Sequence, residues 1–290
     1  STPIKSSAAS DVYKRQGIDN QDFFTILAGL RKPLYLHDLA VLKQFGDTGF
    51  KLTQSRCVRN KGVESPEKQY VPKGSVNEEK LDNNIARARS KVREYGLCNL
   101  WSLFGTFTID SQKFDRYDLP KYHKAMAQWV RDYNKKFGTS IRYLNIPEPH
   151  KDGAWHEHGL LMGIPLDHLR LFTLNEKLPK YIRDKLEAGQ LVYDWPAYRE
   201  KFGWVIIEPI RDLQRAVSYI TKYITKDLAQ SVSELGAHLY YCSQGLERAK
   251  ELKRGSMAAT IEPDFENDFC RVNWFDSAHN SSEQLAALIT

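Results

Sequence analysis

From residue 97 onward the chain alternates between two hydrophobic rhythms. "LCNLWSLFGTFTID" is aromatic and β-branched and predicts a strand. "LPKYHKAMAQWVRDYNKKFG" carries apolar residues at helical spacing, with Pro120 near its start and Gly138 at its end, and predicts a helix. "IRYLNIPE" and "WHEHGLLMGIP" read as two strands separated by a short turn. Residues 166–203 are mixed, with a helical stretch at "EKLPKYIRDKLEAG". "GWVIIEPI" predicts a further strand, and "RDLQRAVSYITKYITKDLAQ" one continuous helix with Asp212 as its N-cap. "AHLYYCSQGL" closes as a short strand and turn. Strands joined by helices, with at least one hairpin, predict an α+β fold built on a mainly antiparallel central sheet with flanking helices.

The earlier part is less regular. Residues 21–46 look helical but broken at Pro33, and residues 60–76 read as a loop punctuated by Pro66, Pro72 and Gly74. "NEEKLDNNIARARSKVREYG" predicts a basic helix closed by Gly96. Residues 1–20 have no apolar periodicity and read as a disordered tail or a leftover of cloning or assembly. The chain thus divides into 1–20, a basic accessory region 21–96, a core 97–247 and an acidic C-terminal tail 248–290.

Composition narrows the picture. At 290 residues, 41% hydrophobic and 27% charged, the chain can bury a core. No stretch approaches the roughly 20 apolar residues of a membrane helix, and no signal-peptide pattern is visible, so no membrane partner is expected. Cys57, Cys98, Cys242 and Cys270 lack metal-type spacing and read as thiols in a reducing cytosol. The net charge of +6 is unevenly spread: residues 31–96 carry 14 Lys/Arg against 8 Asp/Glu, and residues 255–290 carry 1 against 6. A basic body suits a polyanion such as nucleic acid, although an ordinary solvated surface has the same composition. No phosphate-binding GxxxxGK[ST] loop occurs, so nothing points to an NTP-driven motor.

The histidines carry the first candidate chemistry. On a strand, alternation puts His156 and His158 on one face with Leu160 and Met162, and Glu157 on the other, where a structural role is expected. A zinc-protease HExxH motif is excluded because Leu160 stands where the second histidine belongs. A turn centred on Asp152 sets Glu148 opposite His156, within about 5 Å at Cβ. Glu148 is then a third ligand, with His150 as its competitor. Two imidazoles and a carboxylate suit Mg²⁺ or Mn²⁺ acting on a phosphate. By itself the HxH pair reads equally as two surface histidines.

The second is "YITKYITK", residues 219–226. At about 100° per residue, Leu213, Val217, Ile220, Ile224 and Leu228 form the buried stripe. Tyr219 and Tyr223 lie one turn apart at its edge, with Lys222 and Lys226 just beyond. The tyrosines are either half-buried packing residues under snorkelling lysines or nucleophiles poised at a phosphate, with the lysines steadying its oxygens.

Taken in order, "FGTFTID", "EPHKDGAWHEHGLLMG", "YITKYITK" and "YYCSQGLERA" resemble the HUH endonuclease superfamily over about residues 97–247. The closest likeness is to rolling-circle replication initiators of small single-stranded DNA phages and bacterial plasmids. Tyrosines placed after the histidines, and two of them, fit that group. The resemblance implies the family's sheet, with the metal strand facing the tyrosine helix. It implies His156, His158 and Glu148 as ligands of Mg²⁺ or Mn²⁺, Tyr219 and Tyr223 as nucleophiles, and Lys222 and Lys226 as their companions.

The implied activity is nicking of single-stranded DNA to give a 5′-phosphotyrosine and a free 3′-OH, followed by strand rejoining. No helicase domain is visible, so a host helicase and polymerase, and a bacterial cytoplasmic setting, are implied. A single-strand transposase with the same chemistry, or a non-catalytic DNA-binding protein of the same fold, are the alternatives. The basic stretches 51–61 and 87–93, with Arg87, Arg89 and Arg93, are the expected DNA-holding surface.

Overall fold

The computed structural model describes residues 35–60 and 78–290. The expectations for residues 1–20, for the helical start at 21–34 and for most of the 60–76 loop lie outside the described residues.

The larger sheet is built from the segments that carry the strand rhythm: β3 (Leu103–Thr108), β4 (Arg142–Pro149), β5 (Trp155–Met162), β6 (Arg170–Leu171), β7 (Tyr193–Asp194), β8 (Val205–Pro209) and β9 (Tyr241–Cys242). Their order across the sheet is β6-β7-β8-β3-β5-β4-β9, and every pair is antiparallel. The fold is therefore α+β with a central antiparallel sheet, as the rhythm predicts.

Helices cover both faces. On one side lie α2 (Leu119–Phe137) and α4 (Pro196–Lys201), whose Tyr122, Tyr198 and the adjoining Phe202 pack with Phe107 of β3 in the main core. Helix α2 begins at Asp118, whose side chain accepts a hydrogen bond from Lys121 N, and ends at Gly138 in the left-handed conformation. On the other side lie α3 (Lys180–Glu187), α5 (Leu213–Thr221) and α6 (Lys226–Glu234). Ile182 of α3 is buried against Ile206 of β8, and Val217, Ile220, Ile224 and Leu228 are buried as the helical wheel requires.

Helix α1 (Glu78–Cys98) crosses α5 and α6 from outside. It does not stop at Gly96. That glycine lies within the last turns of α1, and a Cβ there would come 2.5 Å from Val217 Cγ2. Gly96 lets the two helices touch, so it acts as a packing residue and not as the C-cap its sequence position suggests.

Two further departures come from the chain's ends. The 35–45 portion of the segment read as helical is strand β1 (Tyr35–Phe45), which forms a hairpin with β2 (Gly49–Arg59). Leu and Ala favour helix locally, but pairing along both edges of β1 and burial of Ala40 and Leu42 on one face override that preference. The stretch read as an acidic tail contains β10 (Lys250–Gly255), β11 (Phe265–Glu266), β12 (Cys270–Asp276) and α7 (Ser282–Ala286). With β1 and β2 these strands form a second sheet, ordered β10-β1-β2-β12-β11, over a small core of Ala40, Leu42, Phe50, Leu52, Leu285 and Ile289. Among the described residues no helix is long and apolar enough to cross a membrane, and the four cysteines are unpaired.

Candidate active site

The β4–β5 hairpin has the register that the turn at Asp152 dictates: Glu148 faces His156, and Ile146 faces His158. On the other side of β5, Thr106 pairs with His158 and Thr108 with His156. One face of the sheet therefore carries Phe104, Thr106, Glu148, His156 and His158, and α5 passes over it.

His158 sits at the centre. Its Nε2 lies 2.8 Å from Glu148 Oε2, and its Nδ1 3.3 Å from Thr106 Oγ1. Burial lowers its pKa against the opposing pull of Glu148. A neutral imidazole then donates from Nε2 to the carboxylate and accepts the threonine hydroxyl at Nδ1. His156 turns toward the exposed His150, with ring centroids 3.8 Å apart. Burial first, then His150 and His158, hold His156 down at about 4. Both histidines of the strand are thus neutral at pH 7, the form in which imidazole binds a cation.

The tyrosines meet this cluster. Tyr223 stacks on His158 with centroids 4.3 Å apart, and Tyr219 meets it edge-on at 6.1 Å. Phe104 packs against both Tyr219, at 5.5 Å, and His158, at 6.2 Å. The Tyr223 hydroxyl donates to the Tyr219 hydroxyl at 2.7 Å. Burial, and then this hydrogen bond, raise the Tyr223 pKa far above the ordinary tyrosine value. Lys222 Nζ lies 3.8 Å from the Tyr219 ring centroid and 5.0 Å from that of Tyr223.

The single helix expected over 211–230 is two. Helix α5 starts at Asp212, which caps Arg215 N as predicted, and ends with Lys222 as its C-cap. Tyr223 N and Ile224 N bond three residues back, to Ile220 O and Thr221 O. Thr225 is extended and caps α6 through a hydrogen bond from Leu228 N to its side chain. Threonine is a strong N-cap and a poor mid-helix residue, which favours the break. Arg89 Nε of α1 donates to Ile224 O at 2.9 Å and holds the turn from outside. The break leads Lys226 away from the tyrosines, to an ion pair with Asp82 at 3.1 Å. The structure therefore joins Tyr219, Tyr223 and Lys222 to the histidines and leaves Lys226 out.

The expected arginine surface is also divided. Arg87 is exposed beside α6, Arg89 is tied to Ile224 O, and Arg93 lies 4.8 Å over the Trp274 ring. They occupy different sides of α1 and do not form one patch. Glu157 has the structural role expected of it. It is fully buried on the opposite sheet face, where it bonds His123 and accepts from Asn145 Nδ2 at 2.8 Å. Phe104 and Thr106 join the site without any motif to mark them. Alternation in "FGTFTID" puts the two on one face, but no short turn ties that strand to the histidines, so its register is not legible in the sequence.

The comparisons agree with this core. Residues 102–228, a little under half of the chain, match a family model for replication-associated proteins of the ORF2 type. The matched stretch runs from the residue before β3 into α6 and includes the histidines, Glu148 and both tyrosines. The match supports a replication-initiator family, and with it binding of DNA. No curated protein and no solved structure matches the chain.

Proposed function

We propose that this protein nicks and rejoins single-stranded DNA through a tyrosine nucleophile assisted by Mg²⁺ or Mn²⁺, as an HUH-type initiator of rolling-circle replication. The observation that carries the reading is the stacking of Tyr223 on His158 while His158 is bonded to Glu148. It joins two motifs far apart in sequence on one sheet face.

The donor set suits a hard divalent cation. Glu148 Oε2 and His158 Nε2 are 2.8 Å apart, close to the roughly 3 Å between adjacent ligands of an octahedral ion with bonds of about 2.1 Å. Among the described residues no three His, Cys, Asp or Glu side chains already form a ligand cluster, because the His156 ring rests on His150. Turning His156 toward Glu148, its partner across the hairpin, completes the set. Thr106 can accept as well as donate, so it can hold Nδ1–H when Nε2 becomes a ligand. A bound cation supplies charge stabilisation to a scissile phosphate.

The chain's own groups do the rest. A phenol oxygen attacks phosphorus in line, a P–O bond to tyrosine forms, and the bond to the 3′ oxygen breaks. That oxygen takes a proton and leaves as the 3′-OH, and the phenol proton passes to solvent. Lys222 is near enough to both rings to offset the negative charge that develops. The second tyrosine repeats the step on a new strand, and the freed 3′-OH reverses it to rejoin ends. A host helicase and polymerase would act on the nicked product.

The test mixes the protein with single-stranded oligonucleotides and Mn²⁺ and looks for a covalent adduct on denaturing gels. His156→Ala and His158→Ala should abolish the adduct while leaving most DNA affinity, which comes from backbone contacts. Adduct formation by either variant at the wild-type rate, or with chelator present, refutes the metal site.

A further inference from the structure

A groove of about 640 Å³ opens directly beside His158 and Tyr219. Sheet alternation explains its position. Register sets Ile206 beside Thr106 and Glu208 beside Phe104, so these four residues share the face that carries His158. Helix α3 stands on that face through Ile182 and Ile206, while α5 forms the facing wall. The groove therefore runs from the reactive tyrosines into a segment, residues 166–203, in which the sequence shows no chemical motif.

Its lining is not a phosphate cradle. Lys185 spends its charge on Glu208, at 2.6 and 2.7 Å from the two carboxylate oxygens. Arg215 is likewise drawn to Asp212, 3.2 Å away. What remains is flat apolar surface with acceptors and donors at its back. Phe104 and Ile206 form the floor, and Tyr181 is 53% exposed on the rim despite its size. Glu208 and the Gln190 amide supply hydrogen-bonding groups to the same space. Aromatic faces with carboxylate and amide edges are the chemistry that receives an unstacked nucleobase: the ring stacks, and its amino or ring nitrogen finds a partner.

We infer that this groove is a base-reading pocket: one nucleotide next to the scissile phosphate leaves the strand, stacks on Tyr181 and is read at its edge by Glu208 and Gln190. The inference rests on the single-strand nicking reading and adds to it the residues that choose the cleavage sequence. Arg211 at the mouth of the groove is placed to meet the adjoining backbone phosphate.

The experiment needs no knowledge of the origin. The full-length protein is incubated, with chelator present, with a randomised single-stranded DNA library, and the bound fraction is sequenced and its affinity measured. Wild type should enrich one base identity at one fixed position. Tyr181→Ala should lose on the order of 10-fold in affinity, within the range of one base–aromatic stack, and Tyr181→Trp should restore it. Glu208→Gln should relax or change the preferred base while keeping most of the affinity. Circular dichroism melts establish that each variant is folded, and exposed Tyr181 can be altered without opening the core.

If Tyr181→Ala and Glu208→Gln keep wild-type affinity and the same preferred base, the pocket is refuted and the nicking reading stands. If wild type binds single strands no better than duplex, the pocket and the nicking reading fall together.

Discussion

Tyr223 lies flat against His158, their planes 12° from parallel and their ring centroids 4.3 Å apart. The contact exists because the helix that starts at Asp212 ends at Lys222. The ring that follows drops onto the sheet, while Tyr219, still on the helix, stays 42% exposed. The two phenols thus differ: one is more buried and donates, the other is open and accepts.

That asymmetry gives an order of action. A donated hydrogen bond favours charge on the accepting oxygen, so Tyr219 is expected to attack first and Tyr223 second. Tyr219→Phe should abolish first-strand cleavage. Tyr223→Phe should leave an initial adduct and impair strand transfer. The double variant should form no adduct, since phenylalanine keeps the packing and lacks the oxygen. Mass spectrometry of the trapped peptide decides the order; an adduct outside residues 219–223 would show that other residues supply the nucleophile.

Acid should weaken the metal-free fold. The folded state holds His156 down at about 4 against an ordinary value of 6.5. Between these values the unfolded chain binds a proton that the folded chain refuses, so stability falls as pH drops through the window. Burial lowers His158 as well and acts in the same direction. Urea midpoints measured at pH 7 and at about pH 4.5, inside that window, should differ less in His156→Gln than in wild type. An equal slope in the two proteins contradicts the assignment.

Behind the metal strand, Glu157 is expected to matter for stability more than for chemistry. Replacing it with alanine strands the buried His123 and Asn145 that it bonds. Losing one member of a buried hydrogen-bonded pair costs roughly 3–5 kcal/mol. Denaturant unfolding of Glu157→Ala should show a loss of that order; a loss below about 1 kcal/mol would mean the network contributes little beyond the general cost of a core change.

Arg89 offers a different separation. Its guanidinium holds Ile224 O, one residue beyond Tyr223. Arg89→Ala should therefore lower cleavage on the order of 10-fold, less than the roughly 100-fold that a 1 Å misplacement of a reacting group can cost. Single-strand affinity should change little. If affinity and its salt dependence drop while the rate at saturating DNA is unchanged, Arg89 is a phosphate contact and not a positioning residue.

The sequence by itself determined what depends on near neighbours. Alternation put His156 and His158 on one face and Glu157 on the other. The short turn between Glu148 and Trp155 left one register, so Glu148 opposite His156 follows from alternation and loop length alone. The buried stripe through Val217, Ile220, Ile224 and Leu228 followed from helical period and survived the break in the helix.

Tertiary structure decided what distant segments impose on one another. Strand β1 is a strand because β2 and β10 pair with its two edges, and β10 belongs to the far end of the chain. Thr106 meets His158 only because β3 adds to the edge of β5 away from β4. Gly96 continues a helix because Val217 of another helix fills the space its side chain would take. Lys226, about one turn from Tyr223 in sequence, is drawn off to Asp82 when Thr225 caps a new helix. Hydrophobic period measures a segment's preference for burying one face; which partner buries it, and where a helix gives way to reach that partner, is set by contact energies absent from the segment itself.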